Sequence, residues 1–228
     1  MTAPQNLRLL IFDFDGTLGD TSLIITTTMQ ATLKALGLPM KPAKACRQTI
    51  GLPLAGCFKA LMEMDDEMAQ KCADTYRVLF EEKSKTLQVK PFPHVITTLQ
   101  RLHSEGFLLS IASSRGHDSL MNFVNAFRLA PYISLVLGGD DVERAKPDPA
   151  PVLATLSHYR LRPSEAMVVG DMHYDILMGR NAGCLTCGVT FGNGSRRELR
   201  EAGANFVIDD FRDLEPIAAS LSRTIGRP

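Results

Sequence analysis

The hydrophobic pattern changes its period twice along the chain. From Arg8 to Phe14 the residues are almost continuously apolar, RLLIFDF, which predicts a short strand. After Asp20 the apolar positions recur every three or four residues, predicting helices over Ser22–Leu36, Leu54–Met64 and Glu67–Phe80. Gly and Pro interrupt that periodicity in LGLPMKP and IGLPLAG. Beyond VKPFP, apolar runs alternate with helical patterns: helix His94–Ser104, run Phe107–Ala112, helix His117–Phe127, run Ile133–Leu137 and helix Pro149–His158. The alternation continues through EAMVVGD, helix Tyr174–Asn181, LTCGVTF, helix Arg196–Ala202, NFVIDD and a last helix.

Strands that alternate with helices predict a parallel sheet covered on both faces, and the first strand belongs to that sheet. The expected architecture is an α/β fold: a Rossmann-like parallel-sheet core with a helical-bundle cap inserted after strand one. Residues 1–19 and 88–228 would form the core and residues 20–87 the cap. No internal repeat or low-complexity segment interrupts this plan.

Composition narrows the partners. The 228 residues are 45% hydrophobic and 22% charged, with 25 basic residues against 25 acidic ones. That balance, without long runs of either sign, advertises no nucleic-acid or membrane surface. The amino terminus, MTAPQNLRLLIF, reads as neither a signal peptide nor a membrane span, so the expected setting is cytoplasmic, as a monomer or homodimer. Five cysteines at irregular spacings suit reduced thiols better than a disulfide framework. Cys184 and Cys187 form a CxxC. The pair follows a helix-ending Ala-Gly and leads into a strand, which favours small buried residues over a redox or zinc role.

In parallel α/β sheets, ligands bind beyond the carboxyl ends of the strands. Those ends carry Asp13 and Asp15 after strand one, Ser113, Ser114 and Arg115 after strand two, Lys146 before a helix, and Asp171 with Asp175 after MVVG. Asp13 and Asp15 lie one residue apart, so their carboxylates crowd together and must share either a proton or a cation. An Asp-Gly turn explains Asp15, Gly16 and Thr17, but it leaves Asp13 inside an apolar run. Acidic groups at one sheet edge suit Mg2+, which takes a few carboxylates and keeps other positions for water or substrate oxygens. A serine hydroxyl and a lysine would hold an anion against it, and the set suits phosphoryl transfer with one aspartate attacking and the other moving the proton.

FDFDGT, IASS, AKPDP and VGDMHYD resemble, in order, the four motifs of the haloacid dehalogenase (HAD) superfamily, and the resemblance covers nearly the whole chain. It implies an HAD-like core with a helical cap that closes over small substrates. It makes Asp13 the nucleophile, Asp15 the general acid/base, Ser113 the phosphate-binding hydroxyl and Lys146 the cation beside nucleophile and phosphate. Asp171 would bind Mg2+ together with Asp13 and the backbone carbonyl of Asp15, with Asp175 behind. Gly16, Thr17, Ser114 and Arg115 are candidate phosphate or substrate contacts. Arg115 and His117 are equally readable as the start of the next helix. Met172 stands where the family commonly has serine or threonine, and His173 reads better as a helix-start surface residue than as a proton carrier. Asn181 and Gly183 read as helix-end packing.

Asp15 separates phosphatases and mutases from the dehalogenases, which lack it. KPDPAPVL, AGC, GVTFG and GTLGDT look most like bacterial phosphoglycolate phosphatases, implying a Mg2+-dependent phosphatase for a small phosphorylated metabolite that works through an aspartyl-phosphate. A pyrophosphatase or a sugar-phosphate phosphatase or mutase on the same core is the alternative, as is a catalytically silent binding module. Arg47 and Lys59, beside the loop that begins at Gly51, are the cap residues expected to recognise a carboxylate on the substrate.

Overall fold

Leu9–Phe12 forms the first strand, β1, and all four of its side chains are buried. Leu10 and Phe12 enter one apolar cluster while Leu9 and Ile11 enter another, so the strand is covered on both faces. The structure, a computed structural model, describes residues 6–222; residues 1–5 and 223–228, the outer ends of the expected core, lie outside the described residues. The other strands are β2 (Leu108–Ala112), β3 (Leu135–Leu137), β4 (Ala166–Gly170), β5 (Leu185–Val189) and β6 (Phe206–Ile208). They make one sheet in the order β3-β2-β1-β4-β5-β6, with every pairing parallel. β1 therefore lies in the interior of the sheet, flanked by β2 and β4, and the ends of all three strands meet at one edge.

The helices are α1 (Ser22–Ala35), α2 (Ala43–Gln48), α3 (Leu54–Leu61), α4 (Asp66–Ser84), α5 (Val95–Ser104), α6 (His117–Ala126), α7 (Ala150–Tyr159), α8 (His173–Asn181), α9 (Arg196–Glu201) and α10 (Leu214–Leu221). α2 went unpredicted because it is only six residues long and lies between the two Gly/Pro breaks. Ile24, Met29, Leu33, Cys46, Phe58 and Phe80, from α1 to α4, pack together in an apolar cluster of their own. The buried hydroxyls of Thr28 and Thr32 in α1 donate to the carbonyls of Ile24 and Thr28, which removes the cost of placing them in a helix interior. No helix among the described residues is long and apolar enough to cross a membrane.

The chain leaves and re-enters the sheet layer through one narrow ribbon. Asp20 N–H donates to the Lys90 carbonyl at 2.9 Å, Phe92 N–H to the Leu18 carbonyl at 3.0 Å, and Gly19 bridges Pro91 in antiparallel fashion. All the helical residues between these strands are thus tethered at one place, beside the aspartates that follow β1.

Candidate active site

Four loops at the carboxyl edge of the sheet, after β1, β2, β3 and β4, carry the predicted groups. Lys146 is 3% exposed, and its Nζ donates to Asp13 Oδ1 at 2.5 Å and to Asp175 Oδ1 at 2.7 Å. Burial opposes the ammonium charge, but the carboxylates of Asp13 and Asp175 outweigh it and hold the Lys146 pKa above its ordinary value. Asp175 sits in the first turn of α8, where its Oδ2 accepts the Met172 N–H at 3.0 Å; the helix start thus fixes the carboxylate that steers Lys146.

Asp171, fully buried after β4, is held from the other side. Its Oδ2 accepts the Asn193 backbone N–H at 2.6 Å and the Asn193 side-chain amide at 2.9 Å, and its Oδ1 accepts the Thr17 hydroxyl at 3.3 Å. Burial, with Asp175 nearby, pushes the Asp171 carboxyl up to about 7. Asp13 is raised well above the usual carboxylate range by burial, against the lowering pull of Lys146 and with Asp175, Asp171 and Asp15 adding to the rise.

Asp13, Asp171 and Asp175 each offer a carboxylate oxygen, and these atoms lie within 4.8 Å of one another. Ionised together, these three buried carboxyl groups would exceed the one ammonium by two negative charges, which a hard divalent cation would balance with oxygen ligands. The donor set therefore fits such an ion.

Asp15 goes elsewhere. Arg115 Nε donates to its Oδ2 at 3.0 Å and Arg115 Nη2 to its Oδ1 at 2.7 Å, so the Asp15 side chain belongs to an ion pair and stands apart from the three-carboxylate cluster. Of the side chains expected at the metal, Asp13 and Asp171 are in that cluster, and Asp175, expected behind them, joins it. Arg115 Nη1 donates to Ser119 Oγ at 2.9 Å, and the guanidinium lies 4.8 Å from the Phe80 ring and 5.0 Å from the Phe123 ring. Arg115 is accordingly a partner of Asp15 rather than a free substrate contact.

Ser113 is buried after β2, and its hydroxyl accepts the Arg115 N–H at 3.3 Å. Ser114 instead donates to the Gly51 carbonyl at 2.6 Å. Gly16, at φ +95°, makes the turn that any side chain would block, since a Cβ there would meet Asp171. Its N–H goes to the Gly19 carbonyl and the Thr17 N–H to the Phe14 carbonyl, so the turn itself uses both donors suggested for phosphate.

Arg47 and Lys59 do not face the site, which corrects the expectation for them. In α3, Cys57, Phe58 and Leu61 point inward, which turns Lys59 to solvent, where it pairs with the exposed Asp66 at 2.5 Å. Arg47 follows the buried Cys46 and is exposed. Gly51, by contrast, lines the cavity above Asp13 and Asp15.

His173 lies against Tyr174 with ring centroids 3.8 Å apart and the planes tilted by 40°, at the start of α8, and His117 pairs with Asp141 at 2.5 Å. The Asn181 side chain donates to the Pro147 carbonyl at 3.0 Å and so braces the loop that carries Lys146. Cys184 and Cys187 pack into clusters on opposite faces of the sheet, which rules out joint redox or metal chemistry by the CxxC. Asn193 went unpredicted; the only trace of it in the sequence is the glycine-dense FGNG after β5.

Comparison with known proteins agrees with this geometry. Residues 10–189 match the haloacid dehalogenase-like hydrolase family. Pyrophosphatase PpaX of Anoxybacillus flavithermus is 32% identical over 219 residues, spanning 96% of this chain and 100% of that protein. A phosphoglycolate phosphatase of Aquifex aeolicus is 32% identical over 188 residues, 82% of this chain and 86% of the relative. The crystal structure of a hydrolase from Pseudomonas syringae superposes with a TM-score of 0.85 at 27% identity, covering 96% of this chain and 100% of that one.

Proposed function

Because the chain belongs to the haloacid dehalogenase-like hydrolases, we propose that it is a Mg2+-dependent phosphatase of small phosphorylated metabolites. The reading is carried by one observation: Lys146 bridges Asp13 and Asp175 at 2.5 and 2.7 Å beside Asp171, while Asp15 is held separately by Arg115. Two aspartates one residue apart thus have different partners, which suits different roles.

Asp13 would attack phosphorus through a carboxylate oxygen, forming an aspartyl-phosphate as the ester P–O bond breaks. Asp15 would give the departing alkoxide its proton, then take one from the water that cleaves the aspartyl-phosphate and releases phosphate. Lys146 and the Ser113 hydroxyl would hold the phosphoryl oxygens, and Lys146 would orient Asp13. Asp13, Asp171 and Asp175 would hold the cation, or orient its ligands, and the ion would supply charge neutralisation for the incoming phosphate. The helices of residues 20–87 would be the cap over this centre. The buried free thiols accord with a reducing, cytoplasmic setting.

A phosphoglycolate preference has support from the relative of that name, and pyrophosphate from PpaX. Either substrate calls for a free cation in the cavity, and Arg47 and Lys59 face solvent instead. Phosphate release from para-nitrophenyl phosphate, with Mg2+ and then with chelator, tests the phosphatase reading; no release with Mg2+ would refute it.

A further inference from the structure

The cavity above the aspartates is larger and more apolar than phosphate recognition requires. It measures about 750 Å3, and Ile25, Ile50, Leu52, Phe80 and Phe123 line it above Asp13, Asp15 and Ser113. With phosphate seated at Asp13, the ester's organic part extends into this apolar space between α1, α4, α6 and the loop before α3.

The charged groups of the wall are mostly acidic. Glu81, Asp118 and Asp140 stand against Arg77 and Arg115. Arg115 is committed to Asp15, and the exposed Arg77 pairs with Asp74 at 2.5 Å. A carboxylate or second phosphate entering here would give up water without gaining an unengaged cation from the described cavity wall, and it would meet like charge. An uncharged organic group meets the opposite situation, because apolar side chains surround it and its burial is favourable.

We infer that the substrates are phosphate monoesters of uncharged alcohols with an apolar body, alkyl or aryl, rather than phosphoglycolate or pyrophosphate. This rests on the phosphatase reading above and specifies its leaving group.

The test is kcat/KM for phosphate release, with Mg2+, from benzyl phosphate, 2-phosphoglycolate and pyrophosphate. The first two both expel an alkoxide, so their ratio reports the pocket, and pyrophosphate has the better leaving group of the three. The expected preference for benzyl phosphate is at least about tenfold over each of the others, the scale on which an apolar pocket discriminates. A smaller preference, or a reversed one, overturns the substrate class while phosphate release leaves the phosphatase reading standing. No release from these or from para-nitrophenyl phosphate overturns both. Leu52→Lys, which adds an ammonium to a half-buried wall position, is expected to shift the ratio toward phosphoglycolate by about tenfold. An unchanged ratio in the folded variant, judged by circular dichroism, overturns the role of this wall; if the variant does not fold, the wild-type panel still decides.

Discussion

Arg115 grips both carboxylate oxygens of Asp15, through Nε at 3.0 Å and Nη2 at 2.7 Å, while its guanidinium lies between Phe80 of α4 and Phe123 of α6. The orientation of Asp15 therefore depends on a fork that the helical insert and the sheet layer clamp together. Lysine carries the same charge but has neither the fork nor the flat face.

Arg115→Lys is expected to lower kcat more for benzyl phosphate than for para-nitrophenyl phosphate, because only the poor leaving group depends on a well-placed proton donor. Equal losses would mean that Arg115 only packs. Arg115→Ala leaves the half-buried Asp15 unpaired, and should cost on the order of 3 kcal/mol of stability, read from denaturant midpoints.

Asp13→Asn keeps the volume and removes the nucleophile. Activity should fall by several powers of ten, on the order of losses seen when a nucleophile is deleted. Acid-quenched wild type should carry phosphate on Asp13, detectable by mass spectrometry, and the variant none. Lys146 keeps Asp175 as a partner, so the fold should survive.

Much of this site was readable in the sequence because strand ends are. A buried parallel strand is a short apolar run, and the first polar residues after it must lie at the sheet edge, which located Asp13, Ser113 and Asp171. The partners of those residues were not readable, since Arg115 with Asp15 and Asn193 with Asp171 are contacts between loops remote in sequence. The outward turn of Lys59 was readable, because Cys57, Phe58 and Leu61 already share the inner face of a helix. Its six-residue length and the Gly/Pro breaks on either side concealed α2.

A divalent cation should both activate and stabilise the protein. Three carboxylates against one ammonium leave the centre short of positive charge, so Mg2+ bound only by the folded chain should raise Tm as its concentration passes Kd. Asp171→Asn should weaken that dependence, and EDTA should abolish phosphate release. A melting temperature indifferent to Mg2+ would contradict the charge argument.

The cysteines should be inert in the native protein. All five are buried, and burial pushes Cys57, Cys184 and Cys187 up to about 12, so at pH 8 almost none of these three is thiolate. Iodoacetamide should add no label to these three in buffer and should label all five cysteines in denaturant, counted by intact mass. Rapid native labelling of Cys184 or Cys187 would reopen a redox role for the pair.

Among the described residues, one side-chain hydrogen bond joins the insert to the loop after β2 at the edge of the cavity, from Ser114 Oγ to the Gly51 carbonyl at 2.6 Å. Losing it should weaken closure by about 1 kcal/mol, roughly a factor of five. Ser114→Ala leaves Asp13, Lys146 and Asp171 in place, so KM should rise about fivefold with kcat nearly unchanged, and the amides of Ile50 and Leu52 should exchange faster with solvent. Gly51→Ala attacks the same contact from the other side. Gly51 has φ +105°, where a side chain is strained, and an added Cβ would sit 3.2 Å from the Tyr174 ring. Its effect should run in the same direction and be larger. If both variants kept wild-type KM and exchange rates, this hydrogen bond would have no part in holding the helical insert over the carboxylates.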